Sequence, residues 1–124
     1  MTRWKALFSL AAFVNLGVGG AMAATPREVA AQLGVLGPGG PYAITMVGMM
    51  IAVLGVGYAI VARDPAHNRG IVWMGVISKL GAAGLAAAQF AEGLIPRSTF
   101  VLGMGDLVFA ALFALFLWRG PRGA

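Results

Sequence analysis

The chain has no cysteine and a single histidine. Disulfide scaffolds, thiol nucleophiles and the common zinc ligand sets are therefore excluded. Because His67 falls in a polar loop, haem ligation by a histidine within an apolar segment is excluded as well. Charge is scarce too, with 10% of residues Asp, Glu, Lys or Arg, against about 25% in an ordinary soluble domain. Phosphate loops of the G-x-x-x-x-G-K-[ST] form, H-E-x-x-H helices and G-x-S-x-G elbows are all missing.

What fills the chain is apolar. Of 124 residues, 60% are hydrophobic and 19 are glycine, and the mean hydropathy is +0.86. Four apolar stretches, residues 6–24, 41–62, 71–91 and 99–118, each approach the roughly 20 residues that cross a bilayer. The remaining tails and loops are too short for a separate aqueous domain. Residues 1–124 are expected to form a single membrane domain, and an aqueous enzyme is excluded.

The net charge is +5, but a nucleic-acid face needs its basic residues clustered on a solvated surface. Here they stand at the ends of the spans, so no nucleic-acid partner is expected. Arg3, Lys5, Arg63, Arg69, Arg119 and Arg122 fall on one side, Arg27 and Arg97 on the other, and Lys79 lies inside a span. By the positive-inside rule this bias places both termini in the cytoplasm of a multi-pass protein of the bacterial inner membrane. The first segment also has the features of a secretory signal, with Arg3 and Lys5 before an apolar run and Ala21-Met22-Ala23 in the A-x-A form. Its retention as a first span is the expected outcome; cleavage would leave three spans.

Between the first two spans, Thr25-Pro26-Arg27-Glu28 has capping-box spacing with Pro at the first helical position. Val29, Ala30, Leu33 and Leu36 follow at roughly helical spacing, and Gly34 or Gly37 can end the turn. This predicts a short interfacial helix on the outer face. The remaining connections, around Asp64-Pro65 and Pro96, are short and polar. Short connections make sequential helices antiparallel neighbours. The expected fold is all-α, an integral membrane four-helix antiparallel bundle. Small residues inside the spans, among them Gly48 and Ala52, Gly55 and Ala59, and Gly103 and Gly105, allow close helix contact within the bundle, in a homo-oligomer or on a larger membrane complex.

The informative residues are the polar ones within the spans. Lys79 and Asp106 are ionisable groups that should face the interior. At about 1.5 Å of rise per residue, Lys79 lies ~13 Å from the cytoplasmic end of its span, Asp106 ~12 Å from the outer end of its own, and Asn15 ~16 Å from the cytoplasmic side. Across a core of about 30 Å, these three form one midplane layer, and pairing Lys79 with Asp106 avoids the roughly 3 kcal/mol cost of each isolated charge. A structural lock and a ligand or proton site both fit this pattern. Tyr42, Thr45, Gln89 and Glu92 fall at similar heights nearer the outer surface and could form a vestibule. They are equally what a membrane interface displays. Tyr58, Trp73 and Trp118 fall toward the cytoplasmic interface, where aromatic anchoring is expected. No metal site is expected, and no catalytic residue or cofactor can be assigned.

The run Arg63-Asp64-Pro65-Ala66-His67-Asn68-Arg69-Gly70-Ile71-Val72-Trp73, continuing to Gly75 and to Lys79-Leu80-Gly81, resembles the second-loop and third-span pattern of small DoxX-like bacterial membrane proteins. The resemblance covers about a fifth of the chain together with the four-span layout. It implies a compact bundle associated with redox or lipid metabolism, and it transfers no catalytic residue. The expected function is binding of a small apolar or amphipathic molecule, lipid or quinone-like, beside Asn15, Lys79 and Asp106. An accessory subunit of a larger membrane complex is the alternative. A small proton-coupled transporter fits less well: small multidrug exporters share the size and span number but carry a membrane Glu in span one, where this chain has Asn15. An enzyme would require acid–base work by Lys79 and Asp106 on a membrane-dissolved substrate, and is not the expected outcome.

Overall fold

The computed structural model describes residues 2–35 and 37–123, so Leu36 of the short connecting segment lies outside the described residues. Five helices follow one another: α1 (Thr2–Ala24), α2 (Pro26–Leu33), α3 (Gly40–Arg63), α4 (Arg69–Ala91) and α5 (Arg97–Arg119). Among the described residues there is no strand. Helices α1, α3, α4 and α5 are each long and apolar enough to cross a membrane. Their bounds extend the apolar stretches by one to four residues and take in basic residues at their ends, Arg3, Lys5, Arg63, Arg69, Arg97 and Arg119 among them.

The connecting helix α2 ends as the glycine predicts. Gly34 takes φ +73, and its N–H and that of Val35 return to the carbonyls of Ala31 and Ala30. This left-handed cap closes a helix whose last carbonyls would otherwise lack donors. The start of α2 corrects the capping-box expectation. Only Thr25 separates α1 from α2, and its hydroxyl donates back to Ala21 O of α1 at 2.7 Å, leaving α2 without a side-chain cap.

The long helices are joined as two close pairs. In the first, α1 runs antiparallel to α3 with their backbones nearly touching. A Cβ on Gly48 would lie 2.7 Å from the Met22 Cβ and 2.8 Å from Gly19 O, and one on Gly55 would lie 2.9 Å from the Leu16 side chain. In the second, α4 runs antiparallel to α5, with a Gly103 Cβ falling 2.6 Å from the Ala86 Cβ and Phe90 stacked on Phe100 at 4.5 Å. Without a hydrophobic drive between helices in lipid, such small-residue contacts are what hold apolar helices together. Between α3 and α4 the backbone approach is much slighter.

Large side chains bridge the two pairs, and only at one end. Trp4 and Phe8 of α1 meet Phe116 and Phe113 of α5 at centroid distances of 5.3 and 5.0 Å, and Tyr58 of α3 meets Phe113 at 5.0 Å. Val61, Val72, Val76 and Leu117 complete this core. A second, smaller core of Met22, Ala30 and Ile44 joins α1, α2 and α3 and contains no residue of α4 or α5.

The aromatic end is also tied by polar contacts. Arg69, at the start of α4, donates to Leu117 O and, at 3.0 Å, to Pro121 O, with its guanidinium 5.2 Å from the Phe116 centroid. It thereby satisfies the open carbonyls at the end of α5. Gly123 N–H donates to Ala66 O at 3.1 Å, laying the C-terminal tail on the α3–α4 loop.

Candidate functional site, a buried polar layer between two helix pairs

Asn15, Lys79 and Asp106 meet where the aromatic core ends. Lys79 Nζ donates to Asp106 Oδ1 at 3.1 Å and to Asn15 Oδ1 at 3.4 Å. The Asn15 amide donates in turn to Ile51 O of α3 at 3.2 Å. Asn15 and Lys79 are buried, and Asp106 is half-buried. The ammonium also lies 5.0 Å from the Phe109 ring centroid and 5.6 Å from that of Tyr58. An ammonium removed from water thus keeps one anion, one amide oxygen and two π faces, which together replace its hydration.

Helical spacing explains how three separated segments reach one point. Gly75 and Lys79 lie on one face of α4. Gly75 admits the Tyr58 ring, since a Cβ there would lie 2.9 Å from the Tyr58 hydroxyl and 3.0 Å from Phe113. Gly55 lets α1 approach α3 at Asn15, whose Cβ is 3.1 Å from the position a Gly55 Cβ would take. The small residues therefore set how far inward the three polar groups can reach.

Tyr58 corrects a sequence expectation. It is fully buried between Gly75, Phe113 and Lys79, not an interface anchor, whereas Trp73 and Trp118 are exposed. Its hydroxyl is buried without a hydrogen-bond partner. Phe109, the other ring beside Lys79, also went unnoticed in the sequence, where a Phe in an apolar span carries no distinguishing mark.

Past the polar layer, exposure rises along α5. Residues seven or eleven apart share a helix face, and on this one it goes from 0% at Phe113 through 35% for the Asp106 side chain to 70% at Leu102. On the other helices Val18, Val47 and Ala82 are exposed past the layer, while Met22 of α1 and Ala83 of α4, eleven residues from the buried Ala11 and Val72, remain buried. Together with the absence of α4 and α5 from the second core, this leaves the two pairs less closely joined beyond the Asn15–Lys79–Asp106 layer than at the aromatic end. Two concavities of about 290 and 280 Å³ lie elsewhere, and no member of the layer lines either.

The four residues considered for an outer vestibule are not joined to one another. Tyr42 and Glu92 are exposed, Thr45 donates to Pro41 O of its own helix at 2.9 Å, and Gln89 is half-buried. No hydrogen bond or ion pair links any two of them among the described residues, which also hold no group of three His, Cys, Asp or Glu suited to a metal ion. No family model matches the chain, and neither a curated protein nor a solved structure matches it.

Proposed function

We propose that the chain is a small multi-pass membrane bundle that binds a small apolar or amphipathic molecule, lipid or quinone-like, in a cleft between the helix pairs above Asn15, Lys79 and Asp106. One observation carries this reading: three polar side chains are joined inside apolar helices, with the Asp106 carboxylate still partly open. Apolar walls supply affinity for a lipophilic body, and a few polar groups at the end of such a site fix its orientation. In this reading the open Asp106 carboxylate accepts a hydrogen bond from a hydroxyl of the ligand, while the buried Lys79 holds the carboxylate in place.

The proposed setting is the bacterial inner membrane, with both termini and the 64–68 loop in the cytoplasm and α2 at the outer interface. The excess of Arg and Lys on that side supports it. The four-span layout and the Arg63–Gly81 run support a DoxX-like affiliation. The accessory-subunit reading draws on α4, where Gly81, Ala82, Gly84, Ala87 and Ala88 are exposed and leave room for a foreign helix.

The test is native mass spectrometry of the protein extracted gently from its own membrane. Ligand binding at the layer predicts a stoichiometric small molecule that is lost from Lys79→Met and from Leu102→Trp, which narrows the cleft. Co-purification with other chains and no small molecule would replace this reading with the accessory subunit.

A further inference from the structure

At the opposite end from the proposed cleft, α1 and α5 leave a groove of about 290 Å³ lined by Arg3, Trp4, Leu7, Leu112, Leu115 and Arg119. We propose that this groove is a binding site for one anionic phospholipid, with its headgroup phosphate between Arg3 and Arg119 and an acyl chain along Leu7, Leu112 and Leu115.

The two guanidiniums stand at the same end because the helices run in opposite directions, α1 beginning where α5 finishes. At about 1.5 Å of rise per residue, Leu7 lies ~6 Å below Arg3, and Leu115 and Leu112 lie ~6 and ~10 Å below Arg119. The groove is thus charged at its mouth and apolar along its depth, in the order in which a phospholipid is charged and apolar.

The charges are available. Arg69 nearby is occupied with backbone carbonyls, whereas among the described residues neither Arg3 nor Arg119 has a hydrogen bond or ion pair. Each instead lies against a tryptophan, Arg3 at 5.6 Å from the Trp4 ring centroid and Arg119 at 4.7 Å from that of Trp118. This leaves the edges of both planar groups free for phosphate oxygens, which they can engage in bidentate fashion. The one acidic side chain at this end, Asp64, is held by His67, with Nδ1 3.0 Å from the carboxylate. The apolar depth selects a lipid over free phosphate, since inorganic phosphate would use the mouth and leave the leucines uncovered.

The experiment is native mass spectrometry of the full chain released from nanodiscs containing equal amounts of phosphatidylglycerol and phosphatidylcholine. Phosphatidylglycerol adducts should exceed phosphatidylcholine adducts, and the double variant Arg3→Gln/Arg119→Gln should cut that preference about thirtyfold, two surface-type cation contacts' worth. Leu112→Trp, which fills the groove without removing charge, should weaken adducts of both lipids. Gly17→Leu, whose side chain would meet nothing within 4 Å, should leave the preference intact. Equal retention of both lipids, an unchanged preference in the arginine variant, or displacement of phosphatidylglycerol by millimolar inorganic phosphate would overturn the proposal.

Discussion

Lys79 and Asp106 form a single ion pair whose two ends see different surroundings, with 6% of the lysine side chain exposed against 35% of the aspartate, across a contact of 3.1 Å. Removing either partner leaves the other as an uncompensated charge, and at buried sites that costs about 3–5 kcal/mol. Lys79→Met and Asp106→Leu should each destabilise more than the two together, measured by denaturant unfolding in one detergent. Additive losses would show that the two charges do not depend on each other.

The glycines of α1 should divide into two classes. A side chain on Gly19 would run into Gly48 O and the Ala52 backbone, whereas one on Gly17 would meet nothing within 4 Å. Gly19→Leu is expected to cost at least about 2 kcal/mol through overpacking of the α1–α3 seam. Gly17→Leu should leave the unfolding midpoint nearly unchanged. Equal effects of the two would place the seam on another face of α1.

Tyr58 fills space without using its hydroxyl. Tyr58→Ala should cost about 3–5 kcal/mol, as for other large aromatic truncations in a core. Tyr58→Phe should hold stability or raise it by up to about 1 kcal/mol, since it removes a buried oxygen that has no partner. A clear loss of stability in Tyr58→Phe would mean that the hydroxyl is engaged.

The α3–α4 loop carries a pH dependence of known sign. The hydrogen bond from His67, aided by the charge of Lys5, holds the Asp64 carboxyl below the ordinary carboxylate range. A carboxyl lowered on folding adds stability above its unfolded pKa, and that stability is lost as pH falls through the folded value. The melting temperature of the protein should exceed that of Asp64→Asn at neutral pH, and the gap should close at acidic pH below the carboxylate range. A gap that widens on acidification would reverse the assigned direction.

Much of the architecture was legible because a membrane span announces itself by the length of an apolar run, and the four stretches fall within the four long helices. That Asn15, Lys79 and Asp106 fall at one level along their helices was legible for an equally simple reason, the fixed rise of a helix. Which helices pair was not, because Gly48 and Gly103 mark a close contact without naming the partner, and Gly19 was one glycine among many. Tyr58 escaped because an aromatic near a span end has the same sequence signature whether it points outward or inward. Arg69 looked like a topology signal for the same reason, although its guanidinium closes the end of α5. The proposed cleft left no trace in the pattern, since a wall facing a ligand and a wall facing lipid are built from the same apolar residues.

The polar contacts are shared unequally between the two helix pairs. Lys79 and Asp106 belong to α4 and α5, and the Asn15 amide is bound to α3, the partner of its own helix. The 3.4 Å contact from Lys79 to Asn15 is the one side-chain hydrogen bond between the pairs among the described residues. A rocking of the pairs about the aromatic end would stretch this latch and leave the ion pair whole. Any opening between the pairs would therefore break a bond to a neutral amide before it separated the buried charges.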